Sequence, residues 1–169
     1  GYIHFGGNIN KSLLILFLVG IALANATQRD WTVINSYPIP EGASGLAYDG
    51  EYIYFGIYGV DGDHIYRIDP QNGNYELFFD SNVLEDSFGL TYDGQYLWSI
   101  KQIGFSEPAL AVQLDFDGNQ IGEITLPDHY MSGIAFDNNN YWVATYYPDP
   151  GTIYQINQEG NIVSQISSP

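Results

Sequence analysis

One eleven-residue segment occurs three times in this chain at a fixed distance. The copies read GLAYDGEYIYF, GLTYDGQYLWS and GIAFDNNNYWV, and they begin at Gly45, Gly89 and Gly133, so successive copies start 44 residues apart. A repeat of about 40–50 residues that is built from short alternating strands is typical of β-propeller blades. The sequence therefore predicts an all-β fold of propeller blades. A meandering β-sandwich is the alternative, and the constant spacing disfavours it.

Each repeat divides into four strand-like runs separated by turns. The first run ends at an Asp-Gly or Asp-Asn pair, which accepts the positive φ angles of tight hairpins. A variable loop separates the second run from the third, and a glycine turn separates the third from the fourth. The turn residues are Asp49, Asp93 and Asp137 for the first turn, and Gly73, Gly118 and Gly160 for the last. We expect three four-stranded antiparallel blades, at about residues 41–82, 83–127 and 128–169.

A further strand-like run, Trp31 to Tyr37, precedes the first blade. The chain then has four outer strands but only three sets of inner strands. We expect this run to be an extra N-terminal outer strand that is unpaired, lies beside the first blade, or pairs with another chain. It should not pair with the third strand of the last blade, because Ile162 to Ile166 fills that edge. The strand count predicts a fragment of a larger propeller, completed by missing blades or by self-association through exposed blade faces.

The first 26 residues have the pattern of a targeting segment rather than of a folded domain. Leu13 to Leu23 are apolar, Lys11 precedes them, and Ala24-Asn25-Ala26 follows them. This pattern predicts a secretory signal peptide that is cleaved after Ala26, with upstream residues before it. The apolar segment is too short for a comfortable membrane span, although a retained hydrophobic stem is the alternative. Residues 27–169 would then be a partial propeller that is secreted, periplasmic or on the cell surface, with no stable membrane span.

The composition limits the partners of the chain. It has 20 acidic residues against 4 Lys and Arg, which gives a net charge of −16. Nucleic acids and anionic membranes would be repelled, whereas neutral, cationic or carbohydrate ligands remain possible partners. With no cysteine there is neither a disulfide framework nor thiolate chemistry. Packing between blades explains most of the 15 Tyr, 9 Phe and 3 Trp, and a stacking surface for sugars is the alternative.

No motif in the sequence carries catalysis or metal binding by itself. A phosphate loop, a nucleophile elbow and paired histidines at metal-binding spacing are all missing from it. Asp115 to Asn119 resembles part of a calcium loop, but the same residues match the glycine turns of the other repeats. We therefore predict no cofactor and no metal site, with calcium as the less favoured alternative, and we assign no catalytic residue.

The loops at one face of a propeller are where its ligands usually bind. We expect that face to carry the crossovers between blades and the loops between the second and third strands. From the crossovers the candidate ligand-binding residues are Glu41, Asp86 and His129. From the other loops they are Tyr58, Asp63, His64, Lys101, Glu107, Tyr146 and Asp149.

The pattern G-L-x-[YF]-D-G-x-Y-[LI]-[WY], followed by I-Y-x-I-D and a glycine turn, resembles secreted bacterial and archaeal propellers. Over about residues 31–169 the chain is similar to plant-type glutaminyl cyclases, virginiamycin B lyases and YVTN-repeat proteins. The resemblance implies the fold, and no catalytic residue of those enzymes can be carried over. We expect an acidic, extracellular binding or scaffold module. The alternative is a lyase or cyclotransferase-type enzyme whose active site needs the missing blades.

Overall fold

Three antiparallel sheets of four strands each make up the fold. The computed structural model describes residues 32–58, 64–80, 83–84, 88–104, 106–147 and 151–167. Over these ranges the chain forms twelve strands and no helix, so the predicted all-β fold of propeller blades is confirmed. The described residues accordingly include no helix that could cross a membrane. All three sheets belong to one compact unit that begins at Tyr37.

The strands of each sheet follow one another in chain order, as in a meander. Blade 1 consists of β1 (Ala43–Tyr48), β2 (Ile53–Ile57), β3 (His64–Ile68) and β4 (Tyr75–Asp80). Blade 2 consists of β5 (Leu90–Tyr92), β6 (Leu97–Lys101), β7 (Leu110–Leu114) and β8 (Gln120–Thr125). Blade 3 consists of β9 (Met131–Phe136), β10 (Tyr141–Thr145), β11 (Thr152–Ile156) and β12 (Ile162–Ser167). The inner strands of neighbouring blades, β1 with β5 and β5 with β9, lie side by side.

The register repeats with the sequence. Leu46 pairs with Phe55, Leu90 with Ser99, and Ile134 with Val143, so the residue after each repeat glycine has an equivalent partner. The three glycines therefore occupy matching positions at the innermost strand of each blade, as the spacing predicts.

Close approach between the inner strands explains why these positions are glycine. A Cβ at Gly45 would lie 2.6 Å from the backbone nitrogen of Leu90 in the next blade. A Cβ at Gly89 would lie 2.6 Å from the carbonyl oxygen of Ser132 in blade 3. A Cβ at Gly133 would meet only the Ala144 side chain, at 3.5 Å. Gly45 and Gly89 therefore allow the inner strands of neighbouring blades to pack closely. Gly133 is also glycine, although the described chain has no further blade beside it.

Each inner hairpin is closed by an aspartate that also holds an aromatic side chain. One carboxylate oxygen accepts backbone hydrogen bonds at 2.7–3.0 Å from the residues two and three positions later. The other accepts from an aromatic side chain five positions later. These pairs are Asp49 with the Tyr54 hydroxyl at 2.8 Å, and Asp93 with Trp98 and Asp137 with Trp142 through the indole nitrogen at 2.7 Å.

The carboxylates of Asp49, Asp115 and Asp137 make the stability of the fold acid-sensitive. Burial opposes ionisation of Asp49, but hydrogen bonds from the Tyr52 and Glu51 amides and from the Tyr54 hydroxyl outweigh it and hold its pKa below the usual 3.8. Hydrogen bonds from Asn119 lower the pKa of Asp115, and those from the Asn140 amide and the Trp142 indole lower that of Asp137. A depressed folded-state pKa stabilises the fold above the unfolded-state pKa, and this contribution is lost as the pH falls through the folded-state value.

We therefore expect the free energy of unfolding to decline once the pH falls below about 4. Urea denaturation at a series of pH values would measure it. Relief of the repulsion among the acidic residues acts in the opposite direction and should be strongest before the carboxylates of the turns titrate. The Asp49→Asn variant should show a shallower acid decline than the unsubstituted chain. A decline of equal steepness in both proteins would contradict the assignment to this aspartate.

Apolar residues fill the two interfaces between blades. The cluster between blades 1 and 2 includes Tyr54, Ile65, Phe79, Leu90 and Leu97. The cluster between blades 2 and 3 is made of equivalent positions: Trp98, Ile100, Ala111, Ile124, Tyr141, Val143 and Ile156 are among its buried members. The core is thus a series of similar layers between successive sheets.

The far face of blade 3 carries the same kind of residues without a neighbour in the described chain. Ile65 and Ala111 are at most 1% exposed, whereas the equivalent Ile153 is 44% exposed. Similarly, Phe79 and Ile124 are buried, whereas Ile166 is 59% exposed. The far face of blade 1 is partly covered: Phe55 and Ile68 are buried, with Tyr37 packed against them, but Leu46 is 68% exposed.

The predicted extra outer strand is only partly described. Residues 32–37, its described part, form no strand and do not pair with β11, whose neighbours are β10 and β12. The absence of strand pairing here agrees with the expectation of an unpaired run, and the expectation that the run leaves β11 alone is confirmed. The physical reason is that each of the three sheets has its own fourth strand. The predicted signal peptide, residues 1–26, lies outside the described residues.

Candidate functional site

Three loop positions, spaced 44 residues apart, lie at one end of the blades. They follow the second strand of each blade and are occupied by Tyr58, Gln102 and Tyr146. The Tyr58 amide donates to the Gly42 carbonyl at 2.7 Å, and the Tyr146 amide donates to the Tyr130 carbonyl at 2.9 Å. The Gln102 side chain donates to the Met131 carbonyl at 2.8 Å. These bonds fix each loop to an inner strand or to the segment that leads into one.

Aromatic rings from all three blades meet at this end. We call Tyr58, Phe88, Tyr130, Tyr146 and Tyr147 the aromatic platform. The Tyr58 and Phe88 ring centroids are 4.9 Å apart, and those of Phe88 and Tyr146 are 5.9 Å apart with an interplanar angle of 11°. Tyr130 lies 5.7 Å from Tyr146 and 5.0 Å from Tyr147. The contacts are continuous from blade 1 to blade 3.

Three rings of the platform are exposed to solvent, whereas Phe88 and Tyr130 are partly buried. Tyr58, Tyr146 and Tyr147 are 50%, 51% and 56% exposed. Partial burial, together with the neighbouring Tyr130 and Tyr58 hydroxyls, raises the pKa of Tyr146. A tyrosine hydroxyl is protonated at neutral pH and can donate a hydrogen bond. Rings fixed in this way can stack on a flat apolar ligand surface or on a cation, and their hydroxyl groups can hydrogen-bond.

Some of the predicted site residues come together and others do not. Tyr58 and Tyr146 belong to the platform, and the His129 ring lies 4.3 Å from Tyr130 while its Nδ1 is 3.1 Å from an Asp128 carboxylate oxygen. His64 instead contacts the Asp80 carboxylate across the β3–β4 pair. Of the remaining candidates, Glu41 and Glu107 are exposed loop residues, Lys101 ends β6, and Asp63, Asp86 and Asp149 lie outside the described residues.

Sequence reasoning did not select Phe88, Tyr130 or Tyr147. The predicted crossover residues were two carboxylates and a histidine, and the aromatic residues beside them were not among the predictions. Tyr147 directly follows Tyr146, and Phe88 directly precedes a repeat glycine. A search for aromatic residues next to equivalent strand ends would have found both.

A cleft lies between blades 2 and 3. It is a polar cleft of about 400 Å³ lined by Asp93, Trp98, Gln113, Glu123, Tyr141 and Gln158, among others. At the corresponding place between blades 1 and 2, the Phe78 and Phe116 rings are 5.9 Å apart, and Arg67 lies 4.9 Å from the Phe78 ring. Aromatic packing therefore fills one cleft, whereas amide and carboxylate groups leave the other open.

The loop that resembles a calcium site closes on itself. One oxygen of Asp115 accepts from the amides of Asp117 at 3.0 Å and Asn119 at 2.8 Å, and the other accepts from the Asn119 side chain at 3.0 Å. The carboxylate thus holds the β7–β8 turn. In the part of the chain that the structure describes, no three His, Asp or Glu side chains are grouped as a metal site would require.

Comparison with known proteins defines the fold class. No protein-family model and no curated protein sequence matches the chain. Among solved structures, it is similar to Myxococcus xanthus glutaminyl cyclase, with 17% identity, a TM-score of 0.59, and coverage of 75% of this chain and 53% of that one. It is also similar to a chain of a nidogen/laminin complex (18% identity, TM-score 0.53, coverage 73% and 48%). A third is Kuenenia stuttgartiensis hydrazine synthase (13% identity, TM-score 0.54, coverage 81% and 40%).

These neighbours are β-propeller proteins, which confirms the propeller class that the repeat motif indicates. The chain has the fold of three propeller blades. It spans about half the length, or less, of the solved chains that it matches. At this level of identity the likeness establishes the fold alone, because one propeller frame carries many unrelated activities.

Proposed function

We propose that this chain is part of an extracellular β-propeller that binds a neutral carbohydrate on the aromatic platform. The observation that carries the proposal is the series of ring contacts from Tyr58 through Phe88 to Tyr146, which crosses three blades. Loops on a rigid frame commonly carry binding residues. Half-exposed tyrosines offer a ring face to the C–H surface of a sugar and a hydroxyl to its polar groups.

The charge of the chain favours a neutral ligand over an acidic one. The net charge of −16 repels polyanions such as sulfated or uronic-acid-rich glycans. An extracellular location is supported by the basic, apolar and small-residue pattern of residues 11–26. We take the ring to be incomplete in this chain and to be completed by further blades. The exposed apolar side chains on the far face of blade 3 support this view.

An array of neutral and acidic glycans would test the ligand class. We expect neutral oligosaccharides to be retained, and Tyr58→Ala and Tyr146→Ala each to weaken binding of the best array ligand by about three- to tenfold, since one aromatic contact contributes about 0.5–1.5 kcal/mol. Titration calorimetry would measure the change. The matched control is Tyr75→Ala, because Tyr75 is 44% exposed on β4, outside the platform.

Three results would contradict the proposal. The first is a preference for acidic glycans. The second is unchanged affinity in both platform variants, which would place the ligand elsewhere, for example in the polar cleft between blades 2 and 3. The third is selective binding of a quaternary ammonium compound, such as benzyltrimethylammonium, in place of sugars. That result would make the platform a cation site.

A further inference from the structure

The cleft between blades 2 and 3 is open because two positions that carry aromatic rings one blade earlier are polar here. In β8, Glu123 takes the place that Phe78 has in β4, since each directly precedes the residue that pairs with the equivalent position of the third strand. In the β11–β12 turn, Gln158 takes the place that Phe116 has in the β7–β8 turn. The Phe78 and Phe116 ring centroids are 5.9 Å apart and close the cleft between blades 1 and 2. Glu123 and Gln158 instead line an open volume of about 400 Å³.

The volume and position of this cleft fit a binding site that is separate from the aromatic platform. Gln95 of the β5–β6 turn and Gln158 of the β11–β12 turn both line it. These turns lie at the end of the blades opposite to the loops that follow the second strands, because successive strands of an antiparallel meander reverse direction. A volume of about 400 Å³ lies within the range of about 300–1,000 Å³ found for small-molecule pockets.

Aromatic rings form the apolar wall of the cleft. The Trp98 and Tyr141 ring centroids are 5.0 Å apart, and those of Phe136 and Tyr141 are 4.9 Å apart. Trp98 and Tyr141 are buried, whereas Phe136 is partly exposed. The wall can therefore pack against a flat apolar group at Phe136.

Gln113 presents its amide to the cleft because it has no side chain opposite to it. In blade 1, Arg67 faces Glu76 across the β3–β4 pair and donates to its carboxylate at 2.7 Å. In blade 2, the equivalent Gln113 faces Gly122. A Cβ at Gly122 would lie 2.5 Å from the Gln113 side-chain oxygen, so the glycine leaves room for this amide beside the cleft.

The lining of the cleft is acidic. Asp93 and Glu123 belong to it, and the lining residues that the structure describes include no Lys, Arg or His. The corresponding place between blades 1 and 2 has its own cation, because the Arg67 guanidinium lies 4.8 Å from the Tyr52 ring and 4.9 Å from the Phe78 ring. The residue equivalent to Arg67 in blade 2 is neutral. The cleft between blades 2 and 3 therefore has carboxylates and aromatic rings, and a ligand can supply the cation.

We propose that the cleft between blades 2 and 3 binds a small organic cation whose charge is carried by a planar group of N–H donors, a guanidinium or an amidinium, on a flat apolar body. The Glu123 carboxylate and the amide oxygens of Gln113 and Gln158 accept hydrogen bonds from the N–H groups. Planar donors of this kind match the two oxygens of a carboxylate. The apolar body packs against Phe136.

The second carboxylate has a different part in this site. Asp93 is held by the Trp98 indole and by the backbone of its own turn, so it contributes negative charge rather than a further hydrogen bond. The attraction is strongest where water is partly excluded, as it is beside the buried Trp98. This site takes a different ligand from the proposed carbohydrate platform and does not depend on it.

Three probes of nearly the same shape separate the effect of charge from that of fit. At neutral pH benzamidine is a cation, benzamide is neutral and benzoate is an anion. We expect benzamidine to bind the full chain about tenfold or more tightly than benzamide, since hydrogen bonds to charged groups are stronger than those between neutral groups, and we expect benzoate not to bind. Titration calorimetry would measure the affinities.

Nuclear magnetic resonance of the indole N–H groups would locate the probe. The Trp98 signal should shift on addition of benzamidine, because Trp98 lines the cleft. The Trp142 signal should stay in place, since Trp142 makes the equivalent bond to Asp137 in blade 3 and is not among the lining residues.

Two variants change the cleft itself. Glu123→Gln removes one charge from an exposed side chain and should weaken benzamidine binding about two- to fivefold, the range of an exposed ion pair. The double substitution Glu123→Phe and Gln158→Phe introduces the rings that close the cleft between blades 1 and 2, and it should abolish the Trp98 shift. The matched control is Glu51→Gln, which removes one charge from the β1–β2 turn and should leave the affinity unchanged. If the double variant does not fold, Glu123→Gln and the probe series decide.

Several results would overturn the inference. Equal affinity for benzamide and benzamidine would remove the role of charge. Equal affinity for benzyltrimethylammonium, which has no N–H donor, would remove the role of the planar donors. A shift of Trp142 without Trp98 would place the probe elsewhere, and equal weakening by Glu51→Gln and Glu123→Gln would reduce the effect to the overall charge of the chain. Unchanged affinity in Glu123→Gln, or no binding at millimolar benzamidine, would also overturn it.

Discussion

Gly89→Ala is expected to destabilise the fold by about 1–3 kcal/mol, the usual cost of forcing extra atoms into a packed interface. Its Cβ would lie 2.6 Å from the Ser132 carbonyl oxygen, and a backbone atom cannot move aside without shifting β9. Gly133→Ala is the matched control. Its Cβ would meet only the Ala144 side chain at 3.5 Å, an ordinary contact. We expect that substitution to be neutral, or to stabilise by about 0.4–1 kcal/mol through reduced entropy of the unfolded chain.

Urea denaturation followed by tryptophan fluorescence would measure both free energies of unfolding. The two glycines occupy the same place in the repeat motif, so sequence alone predicts the same cost for both. Equal costs would contradict the account of glycine as the residue that lets neighbouring inner strands approach. A large cost at Gly133 alone would indicate that another blade already covers the far face of blade 3.

The repeat motif was enough to predict the blades because each strand boundary coincides with a local signal. Asp49 and its equivalents mark hairpins, and Gly73 and its equivalents adopt positive φ angles of 76°, 83° and 84° at the outer turns. Local turn chemistry and strand alternation therefore agree with the global fold, which is the condition for reading a fold from sequence.

The sites were less predictable because they depend on contacts between blades. Tyr58 and Tyr146 could be selected from their loop positions, but Phe88 joins them only because blade 2 stands between blades 1 and 3. His64 was grouped with them as a loop residue, yet its position in β3 directs it to Asp80 on the neighbouring strand. The second role of the hairpin aspartates, holding an aromatic side chain, was likewise not read from the turn motif.

Asp93→Ala is expected to be the most damaging substitution at a hairpin aspartate, because Asp93 serves two blades. Its carboxylate accepts from the Trp98 indole at 2.7 Å and from the backbone of the β5–β6 turn. Burial, and then the charge of Asp93 and a hydrogen bond to it, raise the pKa of Tyr141 in blade 3, so the Tyr141 hydroxyl is also tied to this carboxylate. Trp98 and Tyr141 are only 6% and 3% exposed. Alanine would therefore remove the shared acceptor of two donors that line the cleft between blades 2 and 3.

Each hydrogen bond that is lost to this carboxylate costs about 1–3 kcal/mol. That is a large share of the roughly 5–15 kcal/mol by which a domain is stable. We expect Asp93→Ala to lower the urea midpoint and to shift the tryptophan emission maximum to longer wavelength, as water reaches Trp98. Asp137→Ala is the matched control, since it removes the same turn and the same indole bond, but in blade 3, whose far face is exposed. Its effect on the midpoint should be much smaller. Equal losses in the free energy of unfolding would show that Asp93 contributes through its turn and its indole bond alone. The contact from blade 2 to Tyr141 would then contribute nothing measurable to stability.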